Sequence, residues 1–355
     1  MTTAIRSLAT ANPRRYITGP QSYEFFLDHF DLADSERKLY RQLLLAGPIR
    51  GRYLGVDDDE QICETSADQQ SMRFQKHALA LATQAASDAL AAAGLPPADV
   101  GGLIVNTCTG YLCPGLSSYL AQALALEPSI KTMDLVGMGC GAAIPNIWSG
   151  AGMLVLGDGN GGGKPIVCVS VEVCSATIFM GADPGLIVSN CLFGDGAAAV
   201  VLDRGSHNGG GLARLVDFES GMFPQHREEL RYRNQEGRLR NVLSKRVPVI
   251  GARAIREVTQ RLLTRHGLTA ESIDWWVVHP GGTAVLEQVA KELGVTHDSL
   301  QASYEILHEY GNMSSPSVLF VLKRILDRSG PSRGQKGLML SFGAGFSAHA
   351  LLVEF

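Results

Sequence analysis

Three polar residues stand at glycine-rich breaks in apolar stretches, and their side chains suit covalent acyl transfer. Cys140 lies in GMGCGAAIP, with glycine on both sides and an apolar helical run behind it. Tight glycine turns let a substrate approach the backbone closely. At a helix N-terminus, unpaired N–H groups and the helix dipole favour a thiolate, and they would also steady the oxyanion formed when a thioester carbonyl is attacked. The plain alternative is a buried structural cysteine. His279 closes the run DWWVVH and leads into PGG. At the C-terminal edge of a strand, its neutral ring would take a thiol proton and its N–H would donate to developing negative charge. A satisfied core or turn histidine is the competing reading. Asn312 follows Gly311 and opens NMSSPSV, read as a helix start. It would serve as an N-cap, or its amide would stabilise an enolate without adding charge.

Distant residues meet only if the surrounding elements bring them together, and the chain carries a repeat that would do so. Residues 77–105 read as an Ala-rich helix, a short linker and a buried strand. Residues 252–278 repeat that plan, and aligning Gly94 with Gly267 carries Val105 onto Val278 and Asn106 onto His279. MGCGAAIPNIW and YGNMSSPSVLF then correspond, with Cys140 opposite Asn312. LFGDGAAAVVL (192–202) and SFGAGFSAHALLV (341–353) close the two halves as glycine turns entering strands. The expectation is a pseudo-duplicated α/β protein with halves 1–205 and 206–355. The runs GLIVN, KPIVCVSVE, DWWVVH and GLMLSF lack alternation and read as strands buried on both faces. An exposed turn is expected at 158–165 and a crossover between halves at 204–211. A pseudo-twofold axis would bring the helix starts and strand ends to the centre, which is the geometry for nucleophile, base and oxyanion donor to converge.

Composition removes several other classes. A net charge of −4 leaves no electrostatic footprint for nucleic acid. The Arg-rich stretch 227–246 reads as a solvated loop and helix face. No stretch reaches the roughly 18 apolar residues of a membrane span, and the N-terminus lacks the apolar core of a signal peptide. Seven scattered cysteines argue against a disulfide framework, and no Cys/His cluster has metal spacing. A reduced, cytoplasmic protein without a metal is expected.

The set GCGAA, LFGDGAA, WWVVHPGG, YGNMSSPSV and SFGAGFSAH resembles the chalcone synthase-like, or type III polyketide synthase, family over essentially the whole chain. The resemblance implies a thiolase-like fold of five layers, αβαβα, a homodimer, and no cofactor beyond acyl-CoA and malonyl-CoA substrates. Carried over by motif, Cys140 would bear the acyl group, and His279 and Asn312 would serve decarboxylation and condensation. Phe193 matches an aromatic gatekeeper between CoA tunnel and cavity; a core phenylalanine at a strand start is the alternative. The second gatekeeper of plant members falls near Asn241, a departure that puts aromatic starter selection in doubt. Cys108 and Cys113 lie in TCTGYLCPG, a form similar to bacterial alkylresorcinol and alkylpyrone synthases. Cys174 and Thr177 match cavity-lining positions, where small side chains would leave room for a long acyl chain, or would simply be small core residues. Gly281 and Gly282 of HPGG and Ser314 of the Asn312 loop are carried over as substrate contacts. For CoA phosphates, Lys38, Arg41, Arg50 and Arg52 are available without individual assignment. Two competitors remain: a single-condensation ketoacyl-ACP synthase, which typically carries HQAN in place of HPGG, and a non-catalytic thiolase-fold scaffold.

Overall fold

Apolar runs without alternation become strands covered on both faces, and they set the framework here. The computed structural model describes residues 2–156, 163–205 and 211–355. Its first strands are β1 (Thr2–Ala11), β2 (Arg15–Thr18), β3 (Gly51–Leu54), β4 (Gly102–Asn106), β5 (Lys131–Leu135), β6 (Ile166–Val173) and β7 (Asp195–Gly205). There follow β8 (Ala213–Met222), β9 (Leu230–Gln235), β10 (Arg238–Leu243), β11 (Trp275–Val278), β12 (Lys336–Gly343) and β13 (Ser347–Glu354). The helices are α1 (Gly19–His29), α2 (Asp34–Leu45), α3 (Ala67–Ala93), α4 (Leu116–Ala123) and α5 (Ala143–Leu156). Then come α6 (Pro184–Leu192), α7 (Val247–Arg265), α8 (Thr283–Leu293), α9 (Gln301–Tyr310) and α10 (Ser317–Ser329).

Nine strands join in the order β11-β12-β13-β8-β1-β7-β6-β4-β5. Outward from the β1–β8 contact, the two sides follow one plan. β7, β6 and β4 succeed β1 with the same strand senses with which β13, β12 and β11 succeed β8. β1 and β8 meet through only two residue pairs, Ala4↔Arg214 and Ile5↔Ala213. β5 extends the first side and has no counterpart among the described residues of the second.

Layering follows from which helix faces are apolar. α3 begins at Ser66, whose side chain accepts from the Gln69 N–H, and ends at left-handed Gly94. Its stripe of Ala78, Ala82, Ala85, Ala86 and Ala89 is fully buried, so the helix lies close on the outer face of β1, β6 and β7. α7 covers β8, β12 and β13 in the same way. Between the two sides run α5 and α10, each touching strands of both. Val318 through Leu322 are all buried, as a helix with no solvent face requires. The result is the five-layered αβαβα fold implied by the resemblance.

Two expectations change. The stretch 227–246 is not a solvated loop and helix face: β9 and β10 form a hairpin turning at Glu236 and Gly237, both with positive φ. Asn312 caps no helix, because α10 starts only at Ser317, after Pro316. The turn at 158–165 and the crossover at 204–211 lie largely outside the described residues.

The end of β12 presses on the turn that carries Cys140. A methyl group added at Gly343 would overlap the Met138 carbonyl oxygen and sit 2.5 Å from the Gly141 nitrogen and 3.0 Å from the Cys140 nitrogen. Gly343→Ala is therefore expected to lower unfolding stability by about 1–3 kcal/mol, read as a lower urea midpoint. A midpoint equal to wild type would refute this packing.

Candidate active site

Cys140 sits in the short turn Gly139–Gly141, immediately before α5, and is 8% exposed. The Ser341 hydroxyl on β12 donates to the Gly141 carbonyl at 3.1 Å, so the opposite side of the sheet holds the nucleophile's turn. Burial pushes the Cys140 thiol up to about 11, while the nearby Ser314 and Asn312 side chains oppose that push. The Asn312 loop therefore lies beside the sulfur.

Asn312 is fixed at both backbone ends. Its N–H donates to the Leu192 carbonyl at 2.9 Å, and its carbonyl accepts from the Gly194 N–H at 3.0 Å. Its Oδ1 accepts from the Ser314 N–H at 2.7 Å, which turns Nδ2 toward the Gly281 carbonyl at 3.4 Å. His279, 2% exposed, leaves β11 two residues before Gly281. Its ring packs edge-on to Phe342, and its Nδ1 is buried without a partner. Burial lowers the imidazole to about 3, so the ring is neutral near pH 7. Both thiol and imidazole therefore rest uncharged near pH 7.

Glu172, at the C-terminal end of buried β6, belongs to this cluster and was absent from the sequence-based set. Its Oε2 accepts from the Cys108 and Thr109 N–H groups at 2.9 and 3.1 Å and from the Thr109 and Thr107 hydroxyls. Its Oε1 accepts from the Ser315 and Ser314 hydroxyls at 2.8 and 3.4 Å. Burial raises this carboxyl above its ordinary value despite those bonds. A lone Glu in the run IVCVSVEV was the signal that marked it.

Two cavities flank the cluster. The larger, about 550 Å³, is walled by Cys140, Cys108, Phe193, Tyr232, Asn241 and Ser314 among others. The second, about 360 Å³, is mostly apolar and includes Gly281, Gly282, Leu192, Leu307, Pro48 and Lys245. The junction of α6 and β7 divides them, with Leu192 facing one and Phe193 the other. Cys174 and Thr177 do not reach the large cavity. They line a crevice of about 10 Å³, and the Thr177 hydroxyl lies 3.1 Å from the hydroxyl of Tyr232, which occupies the large cavity's wall. Room for a long chain is thus not supplied by those two small residues. Cys113 is exposed and outside both cavities. Lys38, Arg41 and Arg50 are exposed, but Arg52 is buried, donating to the Asn190 and Phe193 carbonyls, and has no free head for a phosphate. Tyr232 and Arg52 in these roles escaped sequence reasoning, since nothing local marks either. Among the described residues no group of three or more His, Cys, Asp or Glu side chains converges as a metal cluster.

Comparison with known proteins gives a consistent result. Residues 59–266 match the model of FAE1/type III polyketide synthase-like proteins, and 215–355 match the C-terminal domain of chalcone and stilbene synthases. A 1,3,6,8-tetrahydroxynaphthalene synthase of Streptomyces peucetius subsp. caesius is 31% identical over 99% of this chain and 93% of its own. An alpha-pyrone synthesis polyketide synthase-like protein of Mycobacterium tuberculosis is 26% identical over 99% and 90%. In structure, PKS-I from the brown alga Ectocarpus siliculosus superposes with a TM-score of 0.90 at 26% identity, covering 99% of this chain and 98% of the other.

With both groups neutral at rest, a thiolate at Cys140 would need a base to take its proton, and His279 is the expected one. His279→Ala is expected to slow iodoacetamide labelling of Cys140 near neutral pH by at least about tenfold, followed by intact-protein mass. Equal labelling rates in the two proteins would remove His279 from that role.

Proposed function

This chain belongs to the type III polyketide synthase family of malonyl-CoA-dependent acyltransferases, and on that footing we propose that Cys140 is its acyl-bearing nucleophile, with His279 and Asn312 serving decarboxylation and condensation. His279 takes the Cys140 proton as the sulfur attacks an acyl-CoA carbonyl; the carbon–sulfur bond to CoA breaks, and the departing thiolate receives that proton. Malonyl-CoA then loses CO₂. The electron pair of the broken carbon–carbon bond becomes a thioester enolate, whose oxygen accepts from the Asn312 amide and the His279 N–H. Its carbon attacks the acyl carbonyl on Cys140, expelling the thiolate and leaving a chain two carbons longer on CoA. Return of that chain to Cys140 begins the next round, and ring closure to a resorcinol- or pyrone-type product completes the sequence.

The observation that carries this reading is a buried thiol beside Asn312 and Ser314 at the wall of a 550 Å³ cavity. The smaller apolar cavity suits the pantetheine arm, with Gly281 and Gly282 at its wall and Phe193 facing the far side of the partition. Halves 1–205 and 206–355 are taken as two copies of one core, the first bringing the nucleophile and the second the histidine and asparagine. A cytoplasmic location agrees with seven unpaired cysteines; among the described residues no helix is long and apolar enough to cross a membrane.

Assembly as a homodimer is part of the same proposal. β5 is an edge strand with largely exposed residues, and Met133 on it and Val136 just after it stand exposed. An unpaired apolar edge invites a second copy. Met133→Glu is expected to shift the protein from twice the chain mass toward the monomer in sedimentation; a monomeric wild type would overturn this.

Wild-type protein given acyl-CoA and malonyl-CoA is expected to release products carrying two or more added C2 units and to show an acyl adduct by intact mass. Cys140→Ala should show neither. Products from Cys140→Ala would sink the covalent scheme, and a wild type that stops at one added unit would point to single condensation instead.

A further inference from the structure

The wall of the large cavity holds an amide that nothing in the protein satisfies. Asn241 lies on β10 directly opposite Tyr232 on β9 and is 6% exposed. Its Oδ1 is buried with no hydrogen-bond partner, and among the described residues nothing engages its Nδ2. It faces both the large cavity and the crevice beside it. An unpaired buried amide is costly and rare, so its presence in a cavity wall calls for a partner that arrives with the ligand.

Tyr232 supplies the second half of the site. The Thr177 hydroxyl donates to the Cys174 carbonyl at 2.9 Å, so across the 3.1 Å contact with Thr177 the Tyr232 hydroxyl must be the donor. The phenol oxygen is then left with accepting capacity only. Side by side, the wall presents an amide that gives or takes a hydrogen bond and a phenol oxygen that takes one. A saturated hydrocarbon chain matches neither. A β-diketone matches both, because its enol form carries one carbonyl acceptor and one hydroxyl donor.

We propose that Asn241 and Tyr232 form a polar subsite for the keto–enol oxygens of the growing chain, holding it in the cavity for further extension. The inference rests on the polyketide synthase reading and adds a stage to it. Such oxygens exist only after condensation has begun, so the subsite acts on the extended chain and not on a hydrocarbon starter. Without it, early intermediates escape or close into short lactones.

The test uses the full-length protein, hexanoyl-CoA and malonyl-CoA, and reads by mass the ratio of short to long products within one reaction. That ratio does not depend on total rate. Asn241→Leu keeps the branching of the side chain but removes its polar atoms, whereas Asn241→Ala enlarges the cavity; Tyr232→Phe removes the accepting oxygen. Loss of a buried hydrogen bond is expected to raise the short-to-long ratio by about fivefold to tenfold in all three variants. If volume alone mattered, Asn241→Ala would lengthen products, and if the polar atoms did not matter, Asn241→Leu would leave the ratio unchanged. Either of those results overturns the proposal. Should the Asn241 variants fail to fold, Tyr232→Phe decides alone, an unchanged ratio again refuting the subsite. A wild type that makes no condensation product overturns the underlying reading instead.

Discussion

Phe193 and Asn312 meet in an isolated parallel bridge that ties the end of α6 to the loop before α10. The bridge brings together segments more than a hundred residues apart, and it leaves no room for side chains beside it. Gly311 has φ +67° and a Cβ there would lie 2.6 Å from the Leu192 carbonyl oxygen; at Gly194 it would lie 2.7 Å from that of Tyr310. Arg52 closes the joint from below. Its stem packs on Gly311, and its guanidinium donates to the Asn190 and Phe193 carbonyls at the end of α6, where the helix dipole favours a cation. A guanidinium only 4% exposed would be costly without those carbonyls. One constraint thus fixes the Asn312 amide against the sulfur and the Phe193 ring against the cavity.

Glu172 is the second anchor, acting from the other direction. Its carboxylate gathers the Cys108–Thr109 turn and Ser314–Ser315 through six donors. Ser315 also accepts from Asn106, which in turn meets Asn146 on α5 and Ser170 on β6. A polar network runs from the end of β4 to the loop of Asn312, with nearly every member satisfied as burial demands. The same negative charge pushes the Cys140 and Cys108 thiols up. The network therefore holds the Cys108 turn and the Asn312 loop in place while opposing a standing thiolate at Cys140.

Much of this was legible in the residues themselves. GLIVN, IVCVSVEV and WWVV announced buried strands because they lack alternation, and glycine punctuation placed Cys140 ahead of a helix. Asn312 was read as a cap, because Asn before a helical pattern usually is one, or as a neutral donor to an enolate. Ser314 at φ +59° and Pro316 delay the helix, freeing the side chain for the sulfur. The hairpin of β9 and β10 was missed because its charged residues mask the alternation of Leu230, Tyr232 and Asn234 against Leu239, Asn241 and Leu243. Only cross-strand register reveals that Tyr232 and Asn241 face one cavity. Arg52 illustrates the remaining limit: a basic residue near a nucleotide-sized tunnel reads as a phosphate ligand until tertiary contacts bury it.

The neutrality of the site bears on the kind of carbon chemistry it can support. An imidazole held near 3 is a weak base, ill suited to stripping a proton from carbon. A carbanion must then come from the substrate, and loss of CO₂ from a malonyl group supplies one without any base. On the proposed scheme Asn312 and His279 would answer that need as neutral donors, stabilising an enolate oxygen without holding a charge that is costly to bury between reactions. The two cavities fit the same scheme: the apolar one would take the thioester arm and the other would keep the product chain beside the sulfur, on either side of a partition that the Phe193–Asn312 bridge positions.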